Sequence, residues 1–346
     1  MRKPSPVRIL RLSAAGGLLL LPLLFGSCGS STPCTSADTV VNALAYSPDG
    51  NTLAVGSTRT CFRDNTLDTS NDGENQGQLR LLATRAGVEG RNVVIGNGIW
   101  GLAYSTDGAN LASADEDKKV RLYDGRTGDL KLNLTGTPEG VWSVAYSPNG
   151  ALIAGGCRDW NIRIWDAHTG VLLRTLSGHQ EAVRSVAFSP DGLTLASAGW
   201  KDATVKLWDP NSGALLRTLS ADSGYAFAVA FSPDGSLLAG ANGQNINLWD
   251  AHSGVLVRQL HGHTDSVLSL AFSPNGQTLA SGSYDKTAIL WTVQTGSSLG
   301  ALNAGSDHVN TVAFSPDGKT LALGGQIGDV QLWDVATRTL INAVNL

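Results

Sequence analysis

One five-residue pattern stands seven times in this chain: an aromatic residue, Ser, Pro or Thr, Asp or Asn, then Gly. Its serines are Ser47, Ser105, Ser147, Ser189, Ser232, Ser273 and Ser315. The intervals between them are 58, 42, 42, 43, 41 and 42 residues. A constant period near 42 marks a repeat array, in which each copy is one supersecondary unit that cannot bury its faces alone. Gly-rich composition with only 16% charged residues fits strands joined by tight turns better than long surface helices.

Each copy follows one plan. In the fourth, a strand through Ser185, Val186, Ala187 and Phe188 runs into the turn Pro190-Asp191-Gly192. Proline presets the first turn position, and glycine accepts the positive backbone angle that closes the hairpin. A second strand of small residues (Leu195, Ala196, Ser197) follows, then a polar turn with Asp202, a third strand over 205–209 and an outer strand over 215–219. Seven four-stranded antiparallel sheets of this kind bury both faces when they stack radially and close into a ring, which predicts an all-β, seven-bladed propeller.

The residues that close the third strands identify the pattern further. Trp-Asp stands at 165–166, 208–209, 249–250 and 333–334, weakened to Tyr123-Asp124 and Trp291-Thr292, and Gly-His stands at 178–179 and 262–263. On these motifs the chain resembles the WD40-repeat β-propellers over residues 38 to 346. The resemblance implies a buried tetrad in which His, Ser, Asp and Trp pin turns to strands. It falls on His179, Ser197, Asp202 and Trp208 in copy four, and on His263, Ser281, Asp285 and Trp291 in copy six. These residues are read as structural, because a buried His and Asp need their polar atoms paired. Other copies depart: Gly136-Thr137 replaces Gly-His in copy three, copy five has Asn242-Gly243-Gln244-Asn245 and no turn Asp, and copy seven has Ile327 at the Asp position. In the family the N-terminus commonly supplies the last outer strand. Here residues 339–344 are expected to fill that place, so that each blade is contiguous; the alternative gives it to residues 36–41.

The N-terminal segment stands apart. Arg2, Lys3, Arg8 and Arg11 precede an apolar run ending near Phe25, which reads as a signal peptide over residues 1–27. Leu24-Phe25-Gly26-Ser27-Cys28 is similar to the processing box of bacterial lipoproteins, although Phe25 departs from it. It implies lipidation at Cys28, a tether over 28–38 and anchorage to a membrane in the periplasm or at the cell surface. The alternative is an ordinary signal peptide with an incidental Cys. In an oxidising compartment Cys34 and Cys61 are a candidate disulfide, whereas Cys157 has no evident partner and reads as a half-buried small residue. The propeller thus spans 39–346, with an exposed insertion at 61–76 between the second and third strands of blade one, accounting for the long first interval.

In these propellers one face surrounds the central channel. The residue just after the apolar start of each first strand points to its mouth: Asn42, Trp100, Trp142, Arg184, Phe227, Leu268 and Asn310. Turns between strands two and three add Glu116, Arg158, Trp160, Trp200 and Tyr284. Four of the nine tryptophans lie outside the third-strand position and all fall on this rim. Aromatics beside arginines make good anchors for a protein or peptide partner; alternatively, Trp100, Trp142 and Phe227 simply plug the channel. A stacked sugar also suits Trp. No nucleophile elbow, phosphate loop or metal-spaced His set occurs, so no catalytic residue, cofactor or metal is expected, with a hydrolase or lyase as the remaining enzyme alternative. The chain has 25 Lys and Arg against 29 Asp and Glu. Four of those cations sit in the leader, leaving an acidic body that disfavours nucleic acid. A monomeric scaffold outside the cytoplasm is the expected reading.

Overall fold

The computed structural model describes residues 36–63, 66–67, 76–84, 92–95, 98–220, 224–305, 308–326 and 328–346. They form seven antiparallel sheets, each with its strands in sequence order from the inside out. Blade four is representative: Val183–Phe188, Leu195–Gly199, Thr204–Trp208 and Leu215–Ser220. The last blade ends in its own outer strand, Leu340–Asn345, so every blade is contiguous. Residues 36–41 do not form a clasp. They lengthen the innermost strand of blade one, Ser36–Tyr46, which pairs with Thr52–Arg63.

The repeated pentapeptide builds the hairpin between strands one and two. Each serine hydroxyl donates to the Asp or Asn side chain two residues on, at 2.5 to 2.7 Å. These turns also touch each other around the ring. A methyl on Gly108 of blade two would meet Pro48 of blade one at 3.3 Å, and one on Gly50 would meet Pro316 of blade seven at 3.5 Å. Blade two has Thr106 in place of proline, and its hydroxyl instead donates to the Pro148 carbonyl of blade three at 3.0 Å.

The core lies between blades rather than within them. Each of the seven buried apolar clusters among the described residues draws on two consecutive blades. Ile162, Ile164 and Leu176 of blade three, for example, pack with Val183, Val186, Leu195 and Trp208 of blade four. The last such cluster joins Val330 and Ala322 to Val41 and Val55, closing the ring by side-chain packing. Neighbouring blades approach closely because second strands carry Gly, Ala and Ser; a methyl on Gly156 of blade three would already press Val183 of blade four at 2.9 Å. Cys157 belongs to this packing, and is fully buried rather than half-buried.

The insertion in blade one differs from a plain loop. Its second strand runs on to Arg63, and Thr66–Leu67 folds back against it before the third strand, Gln76–Ala83. Cys61 therefore sits in a strand, opposite Ala37. Cys28, Cys34 and the leader lie outside the described residues, as do residues 68–75 and Ile327.

Candidate functional site

A shared irregularity aims seven side chains at one mouth. In every first strand the pairing register slips, at the seventh residue of the long strand of blade one and at the second residue in the other six, leaving Asn42, Trp100, Trp142, Arg184, Phe227, Leu268 and Asn310 without cross-strand partners. Such a β-bulge turns its side chain out of the sheet. All seven then line one cavity of about 210 Å³ at the channel mouth. The wall beneath is stitched between blades: the hydroxyls of Ser143, Ser185 and Ser269 accept the N–H groups of Val186, Val229 and Val312 at 3.1 to 3.2 Å.

The seven positions do different work. The Asn310 amide donates to the Val41 carbonyl at 3.2 Å, and that of Asn42 donates to Thr58 and to the Ile99 carbonyl. These two amides hold the seam from blade seven through blade one to blade two. Trp142, Arg184 and Phe227 instead converge. The Arg184 guanidinium carbon lies 4.5 Å from the Trp142 ring centre, 5.7 Å from Trp100 and 5.9 Å from Phe227. Burial there, with Arg158 close by, draws the arginine pKa down from its usual value. Arg158 touches the Trp142 ring as well, at 5.6 Å.

Outward from this centre runs an unbroken chain of rings: Trp142, Trp200, Tyr225, Phe227, Tyr284 and His308, with successive centroids 4.9 to 6.4 Å apart. Trp200 and Tyr284 hold the first position after strand two. Tyr225 and His308 come from the loops that enter the next first strand, and sequence reasoning missed both. Each directly precedes an apolar strand start, Ala226 or Val309, and that adjacency was the available signal. Trp160 does not join the chain. It sits two residues beyond Arg158 with φ at +72°, is 52% exposed, and has no ring partner among the described residues. Glu116 is likewise exposed at the rim. Leu268 lines the cavity from blade six.

The two tetrads are closed below the rim. His179 bonds Asp202 and Ser197 at 2.7 Å each, and Trp208 donates its indole N–H to Ser197 at 2.8 Å. His263, Asp285, Ser281 and Trp291 repeat these distances. Burial opposes ionisation of Asp202, yet His179 and the N–H groups of Gln180 and Thr204 hold its carboxyl below the usual range. Burial lowers the pKa of His263 against the pull of Asp285. A depressed histidine pKa stabilises the fold above about 6.5 and loses that contribution as pH falls. Thermal melts from pH 7 to pH 5 should therefore fall less steeply for His263→Gln than for the unaltered chain; equal slopes would refute a neutral His263.

Blades two and three use a substitute that motif reading passed over. Arg163 pairs with both oxygens of the turn Asp159, at 2.6 and 2.9 Å. Arg121 grips Asp117 in the same way and reaches the fully buried Asp115 at 2.5 Å. The Asp and Arg stand four residues apart in both blades, a spacing visible in the sequence.

Comparison with known proteins agrees with this architecture. The family model for the WD domain, G-beta repeat, matches residues 26–67, 91–124, 128–166, 170–209, 213–250, 254–292 and 296–334. Six of the seven matches end on the last residue of the third-strand pair, from Asp124 to Asp334; the first ends at 67, inside the insertion of blade one. No curated protein matches the chain. With seven repeats matched across most of its length, a blade for each repeat and the tetrads in place, this chain belongs to the WD40 family, whose propellers serve in general as scaffolds for protein interaction.

Proposed function

We propose that this propeller is a non-catalytic scaffold that binds a protein or peptide partner on the face around the channel mouth. The observation that carries this reading is the six-ring chain converging on Arg184. Large aromatics bury much area at low entropy cost, and such anchors at the centre of an interface are worth about 2 kcal/mol or more each. Tyr225 is 46% exposed and Trp142 half-buried, so both have surface left to give a ligand. The basic, leucine-rich leader and the box at Cys28 support display outside the cytoplasm on a lipid anchor.

Crosslinking and affinity capture from the native cell test the face. The double variant Trp142→Ala/Tyr225→Ala, folded by its melting curve, should lose one specific partner that the unaltered chain retains. An unchanged partner set would remove the aromatic face from the function and move it to the insertion of blade one. Cys28→Ala tests the anchor independently: the protein should leave the membrane fraction, and retention there would reject lipidation.

A further inference from the structure

A guanidinium carries five donors and a charge it does not lose at physiological pH, so burying it among rings without an acceptor is costly. The arginines at the turns of blades two and three are paired with carboxylates: Arg121 with two aspartates, and Arg163 with one. Arg184 differs. Among the described residues it makes no hydrogen bond and has no carboxylate within 4.0 Å, and no Asp or Glu lines the cavity it occupies. Two further donors nearby have no acceptor, the buried indole N–H groups of Trp100, on the cavity wall, and Trp200, against Trp142. The mouth therefore offers charge and donors that no acceptor among the described residues receives. Its three rings hold the guanidinium in place while leaving its N–H groups for an incoming acceptor.

We infer that Arg184 receives the side-chain carboxylate of an Asp or Glu that the partner peptide inserts into the channel mouth. This rests on the reading of the face as peptide-binding and specifies what the face recognises. One deeply placed cation suits a monoanion. The second arginine, Arg158, lies exposed against the Trp142 ring, so a phosphate dianion would meet only one charge within the cavity.

A displayed library of random heptapeptides, panned on the full chain, supplies the probe. Selected peptides, synthesised with a fluorescent label, are then titrated by anisotropy. The expected result is a shared Asp or Glu. Changing it to Gln or Asn, or changing Arg184→Gln in the protein, should weaken binding at least about 10-fold, and the two changes together should cost little more than either alone. Arg184→Met serves as a second variant if the glutamine protein melts early. Peptides that need Trp142 but carry no acid, or are indifferent to both Arg184 changes, would overturn the carboxylate inference and leave the aromatic face standing. So would a phosphoserine version that binds over 10-fold tighter than the acid, or loss of binding on amidating the C-terminus instead. Peptides unaffected by Trp142→Ala/Tyr225→Ala would overturn both.

Discussion

Trp208→Ala should destabilise the protein by about 3–5 kcal/mol, read as a lower midpoint in urea with an unchanged slope. The side chain is 1% exposed and lies between blades three and four, against Ile162, Ile164, Leu176 and Val183. Truncation forfeits that contact and opens a cavity that strands tied on both sides cannot collapse to fill. It also strips Ser197 of its indole donor and His179 of the ring packed 6.1 Å away. Trp160→Ala, by contrast, touches no ring and is expected to stay within about 0.5 kcal/mol of the unaltered chain. Similar losses at the two positions would mean that the inter-blade tryptophans are not what holds the ring.

Arg121→Met is the second large effect, of about 3–5 kcal/mol at pH 8, because it leaves a carboxylate with no access to solvent and no cation. Its size should depend on pH in a defined direction. Burial pushes the Asp115 carboxyl up to about 7 even with Arg121 beside it. A carboxyl whose pKa is raised on folding holds its proton more tightly in the native state. Stability from this group is accordingly greatest in acid and declines as pH rises from about 4, the unfolded value, to about 7. In Arg121→Met the carboxyl loses its cation, so the decline should extend to higher pH and the penalty should shrink at pH 5. Asp115→Asn should flatten the slope in both backgrounds. Urea melts at pH 5, 7 and 8.5 measure it, and an equal penalty at all three would exclude Asp115 as the group concerned.

The propeller was legible because its turn chemistry repeats. Ser, Asp and Gly at fixed offsets can build only one hairpin, and seven copies leave no room for another architecture. The channel residues were legible for a related reason: the bulge sits one residue past each apolar strand start, so Trp142 and Arg184 share a phase with Asn42 and Asn310. What their side chains do with that phase was not. The amides of Asn42 and Asn310 are committed to carbonyls of adjoining blades, which depends on how closely two backbones pass. Tyr225 and His308 occupy connecting loops that follow no repeat. Arg121 and Arg163 were hidden by their surroundings, since copies lacking Gly-His read as defective until a guanidinium is seen in contact with the turn carboxylate.

Placing the core between blades sets a timetable for synthesis. Each blade emerges from the ribosome with one apolar side bare until the next has been made. For most blades that wait spans a single repeat. Blade one is different, because Val41 packs against Ala322 and Val330 of blade seven, and its carbonyl meets the Asn310 amide 269 residues later. At about 5–20 residues per second, that interval is on the order of ten to fifty seconds. The oldest part of the nascent propeller thus remains sticky the longest, and maturation of the ring waits on blade seven.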